Sequence, residues 1–394
     1  MFDKVVFAGG GHQCWWQAGF WEHVSGEIEL HPRVIGAVSA GAVTACLLYA
    51  GDVRRALSWY ERELKNVRTN VNWLNLVRPG QPLMPHAAIL RKALRALLSG
   101  DNFRQLMWRA PEIRVQYARL PESMSPMRAG LGCMVASRVE DWRASLQTTT
   151  GMRLGLTGNV KRVQDCRSER ELVDLLVAGS CMPPFAPIEL IDGEPSVDGE
   201  LIDRNPVGTV ADVPGQTLVL VPRRYPSLAP MFARDGLLYV QPSEQLAVSG
   251  WDYTSAARFQ KTFDQGRRDG EAFLKTFLLG RHADESLGAT ALFPDARPAV
   301  VPLPGAALPS PATASWPDAF EQAAADADAV AAADRVAQGH DPVVAADQAL
   351  DVSAKLADYR EPTEAGIAED LSESQPAASE GHVRSGRSLR ASNI

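Results

Sequence analysis

The chain has 394 residues, 45% of them hydrophobic and 22% charged, a composition that buries a sizeable core and excludes a fibrous or wholly disordered protein. The five cysteines, Cys14, Cys46, Cys133, Cys166 and Cys181, form no CxxC pair, which speaks against a zinc ribbon or a disulfide framework and for a reducing compartment. The formal net charge of −7 is unevenly placed: residues 281–394 hold 8 Lys and Arg against 18 Asp and Glu, net −10, and the remaining 32 against 29 give residues 1–280 a net +3.

The first 50 residues read as strand, glycine loop, helix, strand, tight turn, helix. Val5–Ala8 is a short apolar strand ending at Gly9-Gly10-Gly11, and Val34–Val38 is a second one ending at Ser39. Both apolar runs are too short for a signal-peptide core, and no segment reaches the roughly 18 apolar residues of a membrane span; a cytoplasmic protein, peripheral at most to a membrane, is expected. The strand and helix order implies an α/β fold with a mostly parallel central sheet flanked by helices. Trp16 and Phe20 share one face of the first helix, so the Trp15, Trp16, Phe20 and Trp21 cluster reads as core.

Residues 51–130 read as mainly helical, with amphipathic stretches over Val53–Leu64 and Ala87–Leu98 whose basic residues form a solvated face. No aromatic-basic interleaving supports nucleic-acid binding. Ser168 and Glu171 fit a capping box for a helix to about Ala178, stopped by Pro183-Pro184. Asp192-Gly193 reads as a turn between short strands, and further strands are expected at Thr217–Val221 and Leu237–Gln241. Ala256, Phe259, Phe263, Gly266, Gly270, Phe273 and Phe277 alternate spacings of three and four, the stripe of a helix that closes the domain.

Beyond residue 280 only Phe293, Trp316, Phe320 and Tyr359 remain of 28 aromatic residues, too few large apolar groups to offset the entropy of ordering. Residues 1–280 are therefore read as the folded domain. Residues 281–394 read as an Ala-, Pro- and Asp-rich tail, largely disordered, with one helix near 318–338 and no partner identifiable from its composition.

Three blocks carry chemistry. Ala37-Val38-Ser39-Ala40-Gly41 resembles the GxSxG turn that pushes a serine hydroxyl out of the end of a sheet, with Ala37 at the first glycine. Three successive glycines at 9–11 let backbone N–H groups converge on an anion, either the oxyanion of a tetrahedral intermediate or a phosphate. The phosphate reading lacks a third spaced glycine, since Cys14 stands in its place, and no Gly-Lys-Ser/Thr follows. The third block is Asp198-Gly199-Glu200, which read alone is a hairpin turn. A serine nucleophile needs a proton acceptor, and His86 is the single histidine between Ser39 and residue 280. An aspartate taking that role needs its pKa raised by burial. No His, Cys or carboxylate group at ligand spacing occurs in residues 1–280, so no metal is expected, and a serine nucleophile with its proton acceptor requires no organic cofactor.

In order and spacing, Gly9-Gly10-Gly11, Ser39-Ala40-Gly41 and Asp198-Gly199 resemble the motifs of the patatin-like phospholipase family. Gly179-Ser180-Cys181-Met182-Pro183-Pro184-Phe185-Ala186-Pro187 and Asp203-Arg204-Asn205-Pro206-Val207 are similar to the family's flanking stretches, and the resemblance covers about residues 4 to 280. It implies a three-layer α/β domain and a phospholipase A-type acyl hydrolase acting on phospholipid or another acyl ester lipid. Ser39 would be the nucleophile and Asp198 the general base. The oxyanion loop is Gly9–Gly11, with donors at Gly10 and Gly11 joined by Ala40, and Ala37, Gly41 and Gly199 are elbow and dyad-motif positions. Both Ser39 and Asp198 are expected outside the apolar core. The chain departs from the family at Gln13 and Cys14, where a cation and a glycine are usual, at Ala37, and at Glu200, where a small residue is usual. Those departures leave open a second reading, a catalytically degenerate member acting as a lipid-binding or regulatory scaffold.

Overall fold

A computed structural model describes residues 2–287 except 29, 52, 66, 71–85, 122–123, 125–131, 133–145, 147–149 and 184–185; for Thr150 and residues 278–287 the backbone alone is described. All of these residues fall in one compact unit, Met1–Ala327. The tail beyond 287, its helix near 318–338 and Cys133 lie outside the described residues.

Among the described residues a sheet of nine strands organises the unit: β1 Phe2–Phe7, β2 Val34–Val38, β3 Glu112–Arg119, β4 Thr157–Arg162, β5 Glu189–Ile191, β6 Glu194–Asp198, β7 Gln216–Leu220, β8 Met231–Arg234 and β9 Leu237–Val240. The central run β3-β2-β1-β7-β9 is parallel, and β4, β6, β5 and β8 add antiparallel pairings at its margins. Alternation along each central strand divides the core. Val5, Phe7, Ile35, Ile113 and Leu218 face the helices, whereas Val6, Val34 and Val219 pack with Val210, Tyr225 and Tyr239 on the opposite face.

The helices of nine residues or more among the described residues are α1 Trp15–Glu27, α2 Ser39–Ala50, α3 Val53–Leu64, α4 His86–Leu97, α5 Asp101–Arg109, α6 Glu169–Ala178 and α7 Ala256–Leu287. Trp15, Trp16, Phe20 and Trp21 of α1 are all buried, as the spacing predicts. Ser168 Oγ accepts the Glu171 amide at 3.2 Å to start α6. That helix ends at Ala178, with the Gly179 amide returning to Leu175 O, so the chain has left the helix before Pro183 and the prolines are not its stop.

The closing helix α7 packs along α1 through glycines on both sides. A Cβ on Gly19 would lie 2.0 Å from Phe263 O, and one on Gly266 would lie 2.1 Å from Trp16 O. Only glycine lets the two backbones approach that closely. The helix runs on to Leu287, past the boundary expected at 280.

One central element differs from the sequence reading. Residues 112–119, expected within a mainly helical stretch, form β3, with Ile113, Val115 and Tyr117 buried at strand spacing. This strand has two edges. β4 covers one over Arg114–Arg119, so β2 and β6 meet end to end along the other: Val38 pairs with Gln116, and Asp198 pairs with the next residue, Tyr117.

Candidate active site

That register brings the Ser39 and Asp198 blocks together. Ser39 follows the last residue of β2 and Asp198 is the last residue of β6, and the two strands run toward each other. The Ser39 hydroxyl donates to Asp198 Oδ2 at 2.6 Å. Asp198 Oδ1 accepts the Glu200 amide at 2.8 Å, and the Asp198 amide donates to Cys181 O at 2.8 Å, so two bonds hold the carboxylate and a third holds its backbone. Both residues are buried, Ser39 at 6% exposure and Asp198 at 1%, and neither belongs to the hydrophobic clusters that form the core.

Ser39 sits at φ 53. A left-handed non-glycine residue between a strand and a helix is strained by roughly 1–3 kcal/mol, and it is held because α2 must start directly against β1. Gly41 shows how directly: a Cβ there would lie 2.5 Å from both Phe7 O and Ala8 O. Ala37 is fully buried in the helix-side core, where its methyl is accommodated; the crowded position is Gly36, whose added Cβ would meet Thr209 Oγ1 at 2.2 Å.

The glycine loop leaves β1 beside this turn. Gly11 has φ +57, and a Cβ on it would lie 2.2 Å from Gly250 O. Of the three expected loop members, Gly9 is not available as a donor, because its amide donates to Arg204 O at 3.0 Å. Among the described residues the Gly10 and Gly11 amides have no acceptor. Ala40 follows Ser39 at the start of α2, whose first amides lack helical acceptors. A cavity of about 390 Å³ is lined by Gly10, Gly11, Ser39, Ala40 and Asp198 together.

Burial pushes the Asp198 carboxyl well above the usual carboxylate range, and the Glu200 carboxylate reinforces this; the bonds from Ser39 and the Glu200 amide and the charge of Arg204 oppose it. His86 lines the same cavity, and its ring nitrogens have partners other than Ser39. Its Nε2 donates to Ser180 O at 3.3 Å, which leaves Nδ1 to accept the Tyr253 hydroxyl. Burial lowers its pKa to about 4, partly offset by the Ser180 bond. No group of three or more His, Cys, Asp or Glu among the described residues is placed to hold a metal ion.

The sequence profile of the patatin-like phospholipase family matches residues 5–211, more than half of the chain. The chain belongs to the patatin-like phospholipase family. That membership implies lipid acyl hydrolase activity. A comparison with curated proteins gives no match. Among solved structures, the crystal structure of VipD from Legionella pneumophila is similar at 9% sequence identity and a TM-score of 0.35, over 70% of this chain and 67% of that one.

The departures from the patatin-like pattern have local structural settings. Cys14 is buried, its Sγ directed at Ala8 O at 3.7 Å, and burial raises its thiol far above a reactive range. The Glu200 side chain lies over Gly9, where a Cβ would come within 2.1 Å of its Oε1, and its carboxylate stands 3.9 Å from Arg204 Nε. Two buried glutamines that the sequence reading passes over hold the frame. Gln17 Nε2 donates to Ala8 O and Leu220 O, both at 2.8 Å, tying the ends of β1 and β7. Gln116 Nε2 donates to Gly199 O at 3.1 Å and Asp203 O at 2.9 Å, fixing the turn after Asp198. That turn is a 3-10 turn, Gly199–Leu201, and not a hairpin; the expected hairpin turn is at Asp192-Gly193, between β5 and β6.

Proposed function

We propose that this patatin-like protein hydrolyses acyl ester lipids, phospholipid being the leading class, by a Ser39–Asp198 dyad. Ser39 Oγ attacks the ester carbonyl carbon while its proton passes to Asp198 Oδ2. The resulting oxyanion is held by the amides of Gly10 and Gly11, with Ala40 as a third donor. Collapse breaks the bond to the alcohol, which takes the proton from Asp198, leaving the acyl group on Ser39. Water then attacks the acyl carbon, gives a proton to Asp198, and the fatty acid leaves as that proton returns to Ser39 Oγ.

The observation that carries this reading is the direct 2.6 Å bond from a strained, strand-end serine to a buried aspartate. The raised proton affinity of Asp198 makes it a competent base for a hydroxyl. No helix among the described residues is long and apolar enough to cross a membrane, and peripheral contact with a lipid surface is the proposed mode of access. A fluorophosphonate probe tests the reading: it should label the wild-type chain at Ser39 and leave Ser39→Ala unlabelled. An unlabelled, folded wild-type chain would favour the scaffold reading.

A further inference from the structure

The cavity beside Ser39 continues away from the Ser39–Asp198 pair as a slot between helices. On α2 its lining residues are Ser39, Ala40, Val43, Thr44 and Leu47, positions whose spacing places them on one face of the helix. Val43, Thr44 and Leu47 keep 7%, 8% and 7% of their surface exposed, whereas Ala45 and Cys46, which do not line the slot, keep none. On α3 the lining residues are Val53 and Tyr60, and α4 adds Leu90. Tyr60 marks the end near the glycine loop, because its ring stands 6.1 Å from that of His12 and 5.5 Å from that of Trp15. Val53 marks the other end, where α3 begins just after the close of α2 at Ala50.

Both walls give the slot nearly the same length. At about 1.5 Å of rise per residue, α2 spans about 12 Å from Ser39 to Leu47 and α3 about 10 Å from Tyr60 to Val53. No described residue of α2 beyond Leu47 lines the cavity. Its charged liners other than Asp198, namely Glu200, Arg204 and Arg223, all lie on the segments after β6 and β7, so the slot itself is walled by uncharged side chains and suits a hydrocarbon chain. An extended chain advances about 1.2 Å per bond, as the peptide backbone does at about 3.6 Å for the three bonds of a residue. A chain whose carbonyl carbon sits at Ser39 therefore reaches Leu47 after about ten bonds. The Leu47 side chain leans back toward the N-terminal end of α2, which leaves room for about eight to ten carbons.

We propose that this slot holds the acyl chain of the substrate and that Leu47 and Val53 set its length, so that esters of about eight to ten acyl carbons are preferred. The inference rests on the acyl-hydrolase reading above and adds a chain-length limit to it.

The test reads binding and turnover separately over even-numbered acyl chains from C4 to C14. Methyl esters are titrated calorimetrically against the full-length Ser39→Ala chain, and 4-nitrophenyl esters give kcat/KM for the wild type. Affinity should climb about fourfold per methylene and level off at about ten carbons, and kcat/KM should peak there. In the Ser39→Ala background, Leu47→Ala and Val53→Ala should each carry the break to chains about two carbons longer, and Leu47→Phe should shorten it by about two. Leu57→Ala, a change at a buried α3 residue that does not line the slot, should lower the melting temperature without moving the break, which separates a limit on length from a loss of packing. A break that stays at one length in all three lining variants, as one set by ester solubility would, overturns the proposal. So does an affinity that rises through C14 or that ignores chain length. A break that moves as expected, alongside a wild-type chain that hydrolyses none of the esters, would instead overturn the hydrolase reading.

Discussion

Ser39 and Asp198 are bonded to each other directly, with no histidine between them, while both ring nitrogens of His86 are occupied by Tyr253 and Ser180. Ser39→Ala and Asp198→Asn should therefore each lower ester hydrolysis by about 10⁴-fold or more, and the double variant should be no slower than the worse single, as for groups acting as a unit. His86→Ala should retain far more activity than Asp198→Asn. Initial rates on a chromogenic ester decide it; the reverse order of the two variants would replace the dyad with a histidine base.

The pH dependence follows from the environment of Asp198. In the proposed dyad Asp198 must be ionised to accept a proton, and burial and the Glu200 carboxylate both raise its pKa. Hydrolysis should thus fall on the acid side through a pKa above the usual carboxylate range. Glu200→Gln removes one of the two raising causes, so that acidic limb should move to lower pH. A profile of kcat/KM on a soluble ester gives the answer, and a limb unmoved by Glu200→Gln would mean another group controls it.

Activity and stability should oppose each other here. Ser39 holds φ 53, so Ser39→Gly should relieve about 1 kcal/mol of backbone strain and raise Tm by a few degrees while abolishing turnover. The buried Asp198 carboxyl has a folded-state pKa above its unfolded value. Its contribution is complete below the unfolded pKa and is lost as pH rises through the folded one. Asp198→Asn should accordingly gain stability over wild type at neutral and alkaline pH, with the gain shrinking toward pH 4. Thermal melts across that range read both effects.

The buried histidines act with the opposite sign. His12 and His86 are lowered to about 3 and about 4, so the unfolded chain binds protons below about pH 6.5 that the folded chain does not. Stability contributed by each falls by about 1.4 kcal/mol per pH unit as pH drops through that window. Asp203, raised to about 7 by burial, and Asp198 work against this, so the informative quantity is the difference between wild type and His12→Phe. Denaturant melts from pH 7 to pH 4 should show the variant losing less stability than the wild type.

Much of this arrangement was readable from the sequence where the cause is local. The strand–turn–helix at Val34–Ala50 and the glycine loop after β1 announce themselves because tight turns need small residues within a few positions. What was not readable depends on distant pairing. β3 alternates Ile113, Val115 and Tyr117 with Arg114 and Gln116, a period-two signal inside a stretch otherwise dominated by helical spacing. Its register with β2 and β6 is what sets Ser39 opposite Asp198, and nothing within either block encodes that meeting. Gln17 and Gln116 read as ordinary polar residues because their partners are backbone carbonyls up to 203 positions away. The enclosure of His12 is likewise completed by Tyr253 and Phe259, far along the chain.

The α1–α7 crossing gives a stability prediction independent of the site. Gly19 meets the Phe263 carbonyl, and a Cβ there would lie 2.0 Å from that oxygen. The obstacle is backbone in the middle of a helix, which cannot rotate away as a side chain can, so Gly19→Ala must push the two helices apart and disturb the core behind Trp16 and Phe20. A cost of about 3 kcal/mol is expected, or roughly 10 °C in Tm for a domain of this size. Gly26, on the same helix, is the internal comparison, since a Cβ on it meets nothing within 4 Å. Gly26→Ala should leave stability unchanged or raise it by up to about 1 kcal/mol through helix propensity. Equal melting temperatures for the two variants would show that close backbone contact does not set the position of α7; a large loss confined to Gly19→Ala would show that it does.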